Sequence, residues 1–93
     1  MEFTEKYFFE EVVRLRQFMG QKSWWAKPEI ERERCISGLS LVYLNIVNED
    51  GSHPSHEQIE KWAAIFESTI IEYERRKTMI EITIPMRRLF GTA

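Results

Sequence analysis

The chain has 93 residues, of which 43% are hydrophobic and 30% are charged, with a formal net charge of −2. This length is that of a single domain, and the composition is ordinary for a soluble globular protein. The net charge is too small to indicate a polyanionic partner or an acidic substrate by itself.

The first predicted element is a helix over residues 5–19. Thr4 has the side chain of an N-cap, and Glu5 follows where the helix dipole favours a negative charge. Gly20 is placed to end the helix in a left-handed cap. Apolar residues spaced by three and four mark the face that we expect to be buried: Phe8, Val12, Leu15 and Met19.

A second helix is predicted over residues 28–48, since Pro28 suits the first position of a helix and glutamates crowd the first turns. From Ile36 to Val47 the residues are apolar on nearly every side, which predicts a helix surrounded by other elements. The segment NEDGSHP, residues 48–54, has the turn residues and the proline that end it.

A third helix is predicted over residues 55–78, with Ser55 and Gln58 in the spacing of a capping box. The short connection between the second and third helices predicts a long antiparallel αα-hairpin, across which the first helix packs. The predicted fold is therefore all-α, a three-helix bundle in one domain over residues 1–93. The stripe of the third helix comprises Ile59, Trp62, Phe66, Ile70 and Tyr73.

The segment MIEITIPM, residues 79–86, alternates apolar and polar residues and ends in a proline. A period of two with β-branched residues predicts a short C-terminal strand over residues 79–84. Such a strand has no partner in its own chain, so we expect Ile80, Ile82 and Ile84 to pair between subunits. The alternative is that the third helix continues through Glu81.

Two adjacent tryptophans, Trp24 and Trp25, lie between Lys22 and Lys27. Their indoles point in different directions in either a helix or a strand, so one core contact accounts for one ring. In one interpretation both rings wedge between the first two helices and close the end of the bundle. In the other they anchor a partner, with the two lysines as a polar rim.

The end of the chain is basic, and its cations could contact the phosphates of a nucleic acid. A sequence pI of about 5.7 lacks the overall positive field of such binders, and cations at a helix C-terminus are also what the dipole favours. We therefore keep nucleic-acid binding as the alternative function. The residues concerned are Arg75, Arg76, Lys77, Arg87 and Arg88.

The sequence contains only weak patterns of catalytic or metal-binding residues. His53 and His56 lie in a turn and a first helical turn, and two histidines alone do not predict a metal site. Cys35 is the only cysteine, which excludes an internal disulfide and a thiolate cluster and predicts a reducing compartment. We expect it to be a small core residue. No cofactor is predicted.

The predicted function is that of a small non-enzymatic helical protein that binds another macromolecule as a regulator, an inhibitor, or an antitoxin- or phage-type adaptor. The extra indole, the unpaired strand and the apolar middle helix all favour association, so we expect a homodimer and a protein partner. Acidic residues stand where a signal peptide is basic, and no apolar run reaches the roughly 18 residues of a membrane span. These features predict a cytoplasmic protein that is not membrane-bound.

Overall fold

The computed structural model describes the backbone of residues 1–89 and the side chains of residues 1–83. Over that part of the chain it contains four helices and no strand: α1 is Glu5–Met19, α2 is Lys22–Ala26, α3 is Glu29–Leu44 and α4 is His56–Leu89. The all-α prediction is confirmed. No helix of the described residues is both long enough and apolar enough to cross a bilayer.

Helix α1 forms as its local sequence predicts. The Thr4 hydroxyl accepts a hydrogen bond from the backbone N–H of Tyr7 at 3.2 Å, which satisfies one of the free donors of the first turn. The four residues of the predicted stripe are all buried in the core. Gly20 ends the helix with φ near −83°, so the expected left-handed cap is wrong.

The three long helices pack against one another in pairs. Tyr43 of α3 stacks on Phe66 of α4 with ring centroids 4.6 Å apart. Nearer the start of α3, Glu33 accepts a hydrogen bond from the hydroxyl of Tyr73 at 3.2 Å. Arg16 of α1 contacts the middle of α4 through hydrogen bonds to Ser68 and Thr69 and an ion pair with Glu72.

Helix α3 ends at Leu44, four residues earlier than predicted. The N-terminal segment explains this, because Phe3 forms a parallel β-bridge with Ile46. The Phe3 N–H donates to the carbonyl of Asn45 at 2.9 Å, and its carbonyl accepts from the N–H of Val47 at 2.8 Å. These bonds place Ile46 in the bridge and take residues 46 and 47 out of the helical hydrogen-bond pattern.

Helix α4 begins with the predicted capping box. The Ser55 N–H donates to Oε1 of Gln58 at 2.8 Å, and the Gln58 N–H donates to Oγ of Ser55 at 3.2 Å. The helix then continues through residues 79–84, so the predicted strand is wrong there and the alternative, continued helix, holds. Adding residues to an existing helix costs far less free energy than nucleating a new element. This difference outweighs the β preference of the three isoleucines.

The molecule is elongated, with extents of 59 × 21 × 17 Å and a radius of gyration of 16.6 Å. A compact domain of this length has a radius of gyration of about 12 Å. The 34 residues of α4 account for the long axis, since they span about 50 Å at 1.5 Å per residue. The helix packs on the other helices as far as Lys77 and continues beyond it.

Candidate interaction surfaces

Trp24 is buried inside the chain, with 2% of its surface exposed. The short helix α2 turns its indole between Phe18, on which it stacks at 5.7 Å, and Tyr73, which it meets edge-on at 6.4 Å. In this conformation Trp24 is part of the core and cannot anchor a partner. Its Nε1 has no hydrogen-bond partner among the described residues.

Trp25 is half-buried and also serves the chain itself. Its ring stacks on Tyr73 with centroids 5.7 Å apart, and the Arg32 guanidinium lies 5.3 Å from the ring centroid on a cation–π contact. Its Nε1 donates to the carbonyl of Met19 at 2.9 Å. The geometry therefore corresponds to the wedge interpretation. Lys22 and Lys27 are exposed, but no free indole lies between them.

Arg32 is a buried charged residue that sequence reasoning missed. Its guanidinium donates to the carbonyls of Lys27 and Trp25, which ties the end of α2 to the start of α3. Burial raises the pKa of the neighbouring Tyr73 hydroxyl. Its position in the sequence indicates this burial, because Arg32 lies seven residues before the buried Leu39 and so shares its helical face.

Most of the described cations proposed for nucleic-acid contact are engaged within the chain. Arg76 donates to the carbonyl of Met19 at 2.8 Å and pairs with Glu72 at 3.0 Å. Lys77 pairs with Glu29 at 2.7 Å and with Glu33 at 3.4 Å. Of the three described cations, Arg75 is exposed and takes part in no ion pair with another side chain of residues 1–83. The side chains of the remaining two candidates, Arg87 and Arg88, lie outside the described part.

The Lys77–Glu29 ion pair shifts the pKa of both groups. The hydrogen bond from Lys77 to Glu29 raises the pKa of the Lys77 ammonium, and the same contact lowers the pKa of the Glu29 carboxyl. Both groups are therefore charged throughout the neutral range. The pair fixes the start of α3 against α4.

The isoleucines expected to pair as a strand between subunits lie on α4 instead. Ile82 is exposed on the helix, Ile80 is half-buried, and the side chain of Ile84 lies outside the described part. An intersubunit ladder through these residues is not available, because their backbone groups belong to a helix.

An apolar groove of about 390 Å³ runs between α1 and α3 on the side away from α4. Tyr7 and Phe18 line it from α1, and Leu41, Gly38 and Cys35 line it from α3. We call these five residues the α1/α3 face. All five are exposed, and Leu41 retains 49% of its surface.

Two predictions from the sequence are wrong at this surface. Cys35 lies at the surface and is not a core residue. Helix α3 is not surrounded on every side, since Leu41 and Leu44 face solvent and Leu44 retains 74% of its surface. The other described helices leave these two leucines of α3 uncovered, because α1 and α4 pack on other sides of the helix and α2 contacts it near its start.

Gly38 stands in the middle of α3 with no intrachain reason for a glycine. A Cβ built at this position meets nothing within 4 Å, and the residue has ordinary helical geometry. Glycine costs about 1 kcal/mol relative to alanine inside a helix. The position therefore leaves open a patch of backbone that another molecule can approach closely.

A second groove, of about 660 Å³, lies between α1, the start of α4 and the loop before it. Phe9, Val13 and Trp62 form its apolar floor. Its rim carries both carboxylates and cations, among them Glu10 and Lys6, so the rim does not select a ligand of one charge.

The histidines do not form a metal site with other residues. His56 contacts Glu60 at 2.9 Å on the exposed first turn of α4, and His53 lies in the preceding loop. Over residues 1–89 no group of three or more His, Cys, Asp or Glu side chains is placed to hold a metal ion. Comparisons with known protein families, with curated proteins and with solved structures found no match to this chain.

Proposed function

We propose that this chain is a small non-enzymatic binding protein, a three-helix bundle built on the α3–α4 hairpin, that forms a homodimer through the α1/α3 face. Dimerisation is the part of this function that the geometry supports most directly. A role as a regulator or adaptor of another protein follows from the surfaces that the dimer leaves free.

The observation that carries the proposal is the exposed apolar surface of the α1/α3 face. The chain exposes 6824 Å², whereas a compact monomer of its mass, 11.2 kDa, exposes about 5,700 Å². An elongated chain exposes more surface than a compact one, so the length of α4 contributes to this surplus of about 1,100 Å². Part of it is the apolar surface of the α1/α3 face, which a partner would remove from water.

A second copy fits this face for two geometric reasons. Gly38 lets two α3 helices approach closely where they cross. Ile30 and Leu41 lie within about 20° of each other on the helical wheel, and Leu44 extends the exposed apolar surface past them. In an antiparallel crossing centred on Gly38, Leu41 of each copy therefore faces Cys35 of the other.

Electrostatics also allow a self-complementary contact. The charged residues that line the groove, Glu11 and Arg14, form an ion pair at 3.0 Å with each other. The face therefore presents no net charge from these two residues, and two copies meet without like-charge repulsion at that point.

Sedimentation equilibrium over a range of concentrations tests the proposal. The wild-type chain is expected to approach twice 11.2 kDa as concentration rises. Leu41→Glu, which places a charge in the face at an exposed position, should remain a monomer of unchanged helix content. Ile71→Glu, an equivalent change on the exposed side of α4, serves as the control and should still dimerise. A wild-type mass that stays at 11.2 kDa at every concentration contradicts the proposal.

Nucleic-acid binding has less support than association, because Arg76 and Lys77 are already paired within the chain. The histidine and cysteine positions do not form a catalytic arrangement either, since Cys35 lies on α3 and both histidines lie at the start of α4 or before it.

A further inference from the structure

A cleft between α1 and α4 brings three arginines around one carboxylate. Its volume is about 500 Å³, which is in the size range of small-molecule binding sites. One lining residue comes from α1 and the others come from the middle of α4. The lining consists of Arg16, Ser68, Ile71, Glu72, Arg75 and Arg76, which we call the arginine cleft.

Two of the three guanidinium groups are held in place by the rest of the chain. Arg16 donates to the hydroxyls of Ser68 and Thr69, each at 3.2 Å, and Thr69 is completely buried. Arg76 donates to the carbonyl of Met19 at 2.8 Å. The side chains of Arg16 and Arg76 still expose 38% and 44% of their surface. A ligand therefore meets donors that are already positioned, which reduces the entropic cost of binding.

The hydrogen-bond donors of the arginine cleft outnumber its acceptors. Glu72 is the only carboxylate of the lining, and it accepts from both Arg16 and Arg76. A guanidinium has five N–H donors, of which Arg16 uses three and Arg76 uses two in bonds to described residues. Arg75 is exposed and forms no ion pair with a side chain of residues 1–83. The packing of α1 on α4 therefore accounts for two of these arginines and does not account for Arg75.

The charge of the cleft matches that of a phosphate dianion. Three arginines and one glutamate give the lining a formal charge of +2, whereas the whole chain has a net charge of −2. A phosphomonoester carries a charge of about −1.5 to −2 at neutral pH, and the planar fork of a guanidinium pairs with two of its oxygens at once. A carboxylate or a sulfonate would leave one positive charge uncompensated.

The cleft also has an apolar wall. Ile71 retains 48% of its surface and lies in the lining between the polar residues. The organic group of a phosphate ester would cover part of this side chain and remove it from water. An ester therefore fits the lining better than inorganic phosphate does.

A nucleic acid fits the same cleft poorly. Glu67 and Glu74 are exposed on α4, directly before Ser68 and Arg75 in the sequence. A strand with one phosphate in the cleft would bring its next phosphates towards these carboxylates. Each phosphodiester also carries a single charge. The surroundings of the cleft therefore favour a small anion over a polyanion.

We propose that the arginine cleft binds a phosphomonoester. The phosphate dianion accepts hydrogen bonds from Arg16, Arg75 and Arg76, and the organic group of the ester packs on Ile71. The arginine cleft shares no lining residue with the α1/α3 face, so this binding goes beyond dimerisation and is tested separately from it.

Titration of the ¹⁵N-labelled full chain, followed by NMR, tests the proposal and locates the site. The probes are phenyl phosphate, benzenesulfonate and inorganic phosphate at about pH 7.5, where a phosphomonoester is mostly a dianion. Benzenesulfonate has the same ring and three terminal oxygens but only one charge. We expect phenyl phosphate to shift the signals of the arginine cleft and to bind about tenfold more tightly than benzenesulfonate. Inorganic phosphate, which lacks the ring, should bind more weakly than phenyl phosphate.

A phosphomonoester can be a small molecule or a phosphorylated side chain of a protein. A capped tripeptide with a central phosphoserine, titrated in the same way, distinguishes these two sources. The source whose probe binds more tightly is the one that the cleft fits.

Two variants should change the affinity for phenyl phosphate in opposite directions. Arg75→Gln removes one charged donor and should weaken binding about tenfold without lowering the Tm. Glu72→Gln removes the only carboxylate of the lining and should tighten binding, which a purely structural role of Glu72 would not do. Arg34→Gln, the same change as Arg75→Gln at an exposed position of α3, is the matched control and should have little effect. Circular dichroism verifies that each variant keeps the helix content of the wild type.

Several results would overturn the proposal. Phenyl phosphate that leaves the signals of the cleft unchanged would do so, as would benzenesulfonate that binds equally tightly. A loss of affinity in Arg34→Gln equal to that in Arg75→Gln would show that only the overall charge matters. Weaker binding by folded Glu72→Gln would contradict the charge argument. Displacement of phenyl phosphate by a single-stranded oligonucleotide without terminal phosphates would assign the cleft to nucleic acid instead.

Discussion

Replacing Gly38 with alanine should separate the stability of the chain from its ability to associate. Gly38 lies well inside α3, and the added Cβ would meet nothing within 4 Å. The substitution therefore gains helix propensity without steric cost, about 1 kcal/mol in the free energy of unfolding. For a domain of this size that gain raises the Tm by about 4–8 °C.

Association should change in the opposite direction. Two methyl groups at the crossing point of the α3 helices would hold their backbones apart and reduce the contact around them. We expect the dimer Kd of Gly38→Ala to rise about tenfold, which corresponds to about 1.4 kcal/mol. Thermal unfolding measured on dilute protein gives the first quantity, and sedimentation equilibrium gives the second.

Ser37→Ala is the matched control for this prediction. Ser37 is the exposed neighbour of Gly38, and alanine there improves helix propensity without adding volume. It should raise the Tm slightly and leave the Kd unchanged. If Gly38→Ala raises the Tm but leaves the Kd at its wild-type value, Gly38 does not lie at a contact between copies and the reasoning is refuted.

Three further predictions concern the stability of the chain. Trp25→Phe keeps a ring on the neighbouring tyrosine but loses the N–H donated to Met19, and should lower the free energy of unfolding in urea by about 1 kcal/mol; an unchanged midpoint would contradict this role. Ser55→Ala removes the N-cap of α4 and should also cost about 1 kcal/mol, measured in the same way; no loss would show that the cap is dispensable. The lowered pKa of Glu29 means that its pair with Lys77 stabilises the fold above the unfolded pKa of 4.5 and that this contribution is lost as pH falls through the lower folded pKa. The stability difference between wild type and Lys77→Met should accordingly be present at pH 7 and vanish in acid, and a difference that persists there would contradict the assignment.

Local signals of the sequence predicted the elements that depend on local interactions. The cap at Thr4 and the capping box at Ser55 form as expected, because the bonds that define them join residues three apart. The apolar stripe of α1 is buried as predicted, since one face of an amphipathic helix has few alternatives.

Features that depend on distant contacts could not be predicted in the same way. The end of α3 is set by the bridge between Phe3 and Ile46, which joins residues 43 apart. The alternation around Ile82 indicated a strand, but the preceding helix decided the conformation by continuing. Two interpretations of Trp24 and Trp25 were compatible with the sequence. The position of Tyr73, almost fifty residues later, selects between them.

The candidate surfaces were also only partly predictable. An apolar surplus was evident, but its location depends on which sides of α3 and α4 are covered by other helices. Leu41 and Cys35 were expected inside and lie at the surface, whereas Trp24 was a candidate anchor and lies inside. Exposure of this kind is a property of the packed molecule and not of any single helix.

The rate at which Cys35 reacts with a thiol reagent tests the central claim most directly. Cys35 is the only cysteine, is exposed in the monomer, and lies in the groove that a second copy is proposed to cover. We expect its alkylation rate to fall as protein concentration rises through the dimer Kd, and to stay fast at all concentrations in Leu41→Glu. A wild-type rate that does not depend on concentration, in samples whose mass shows the dimer, would contradict the assignment of the dimer to the α1/α3 face.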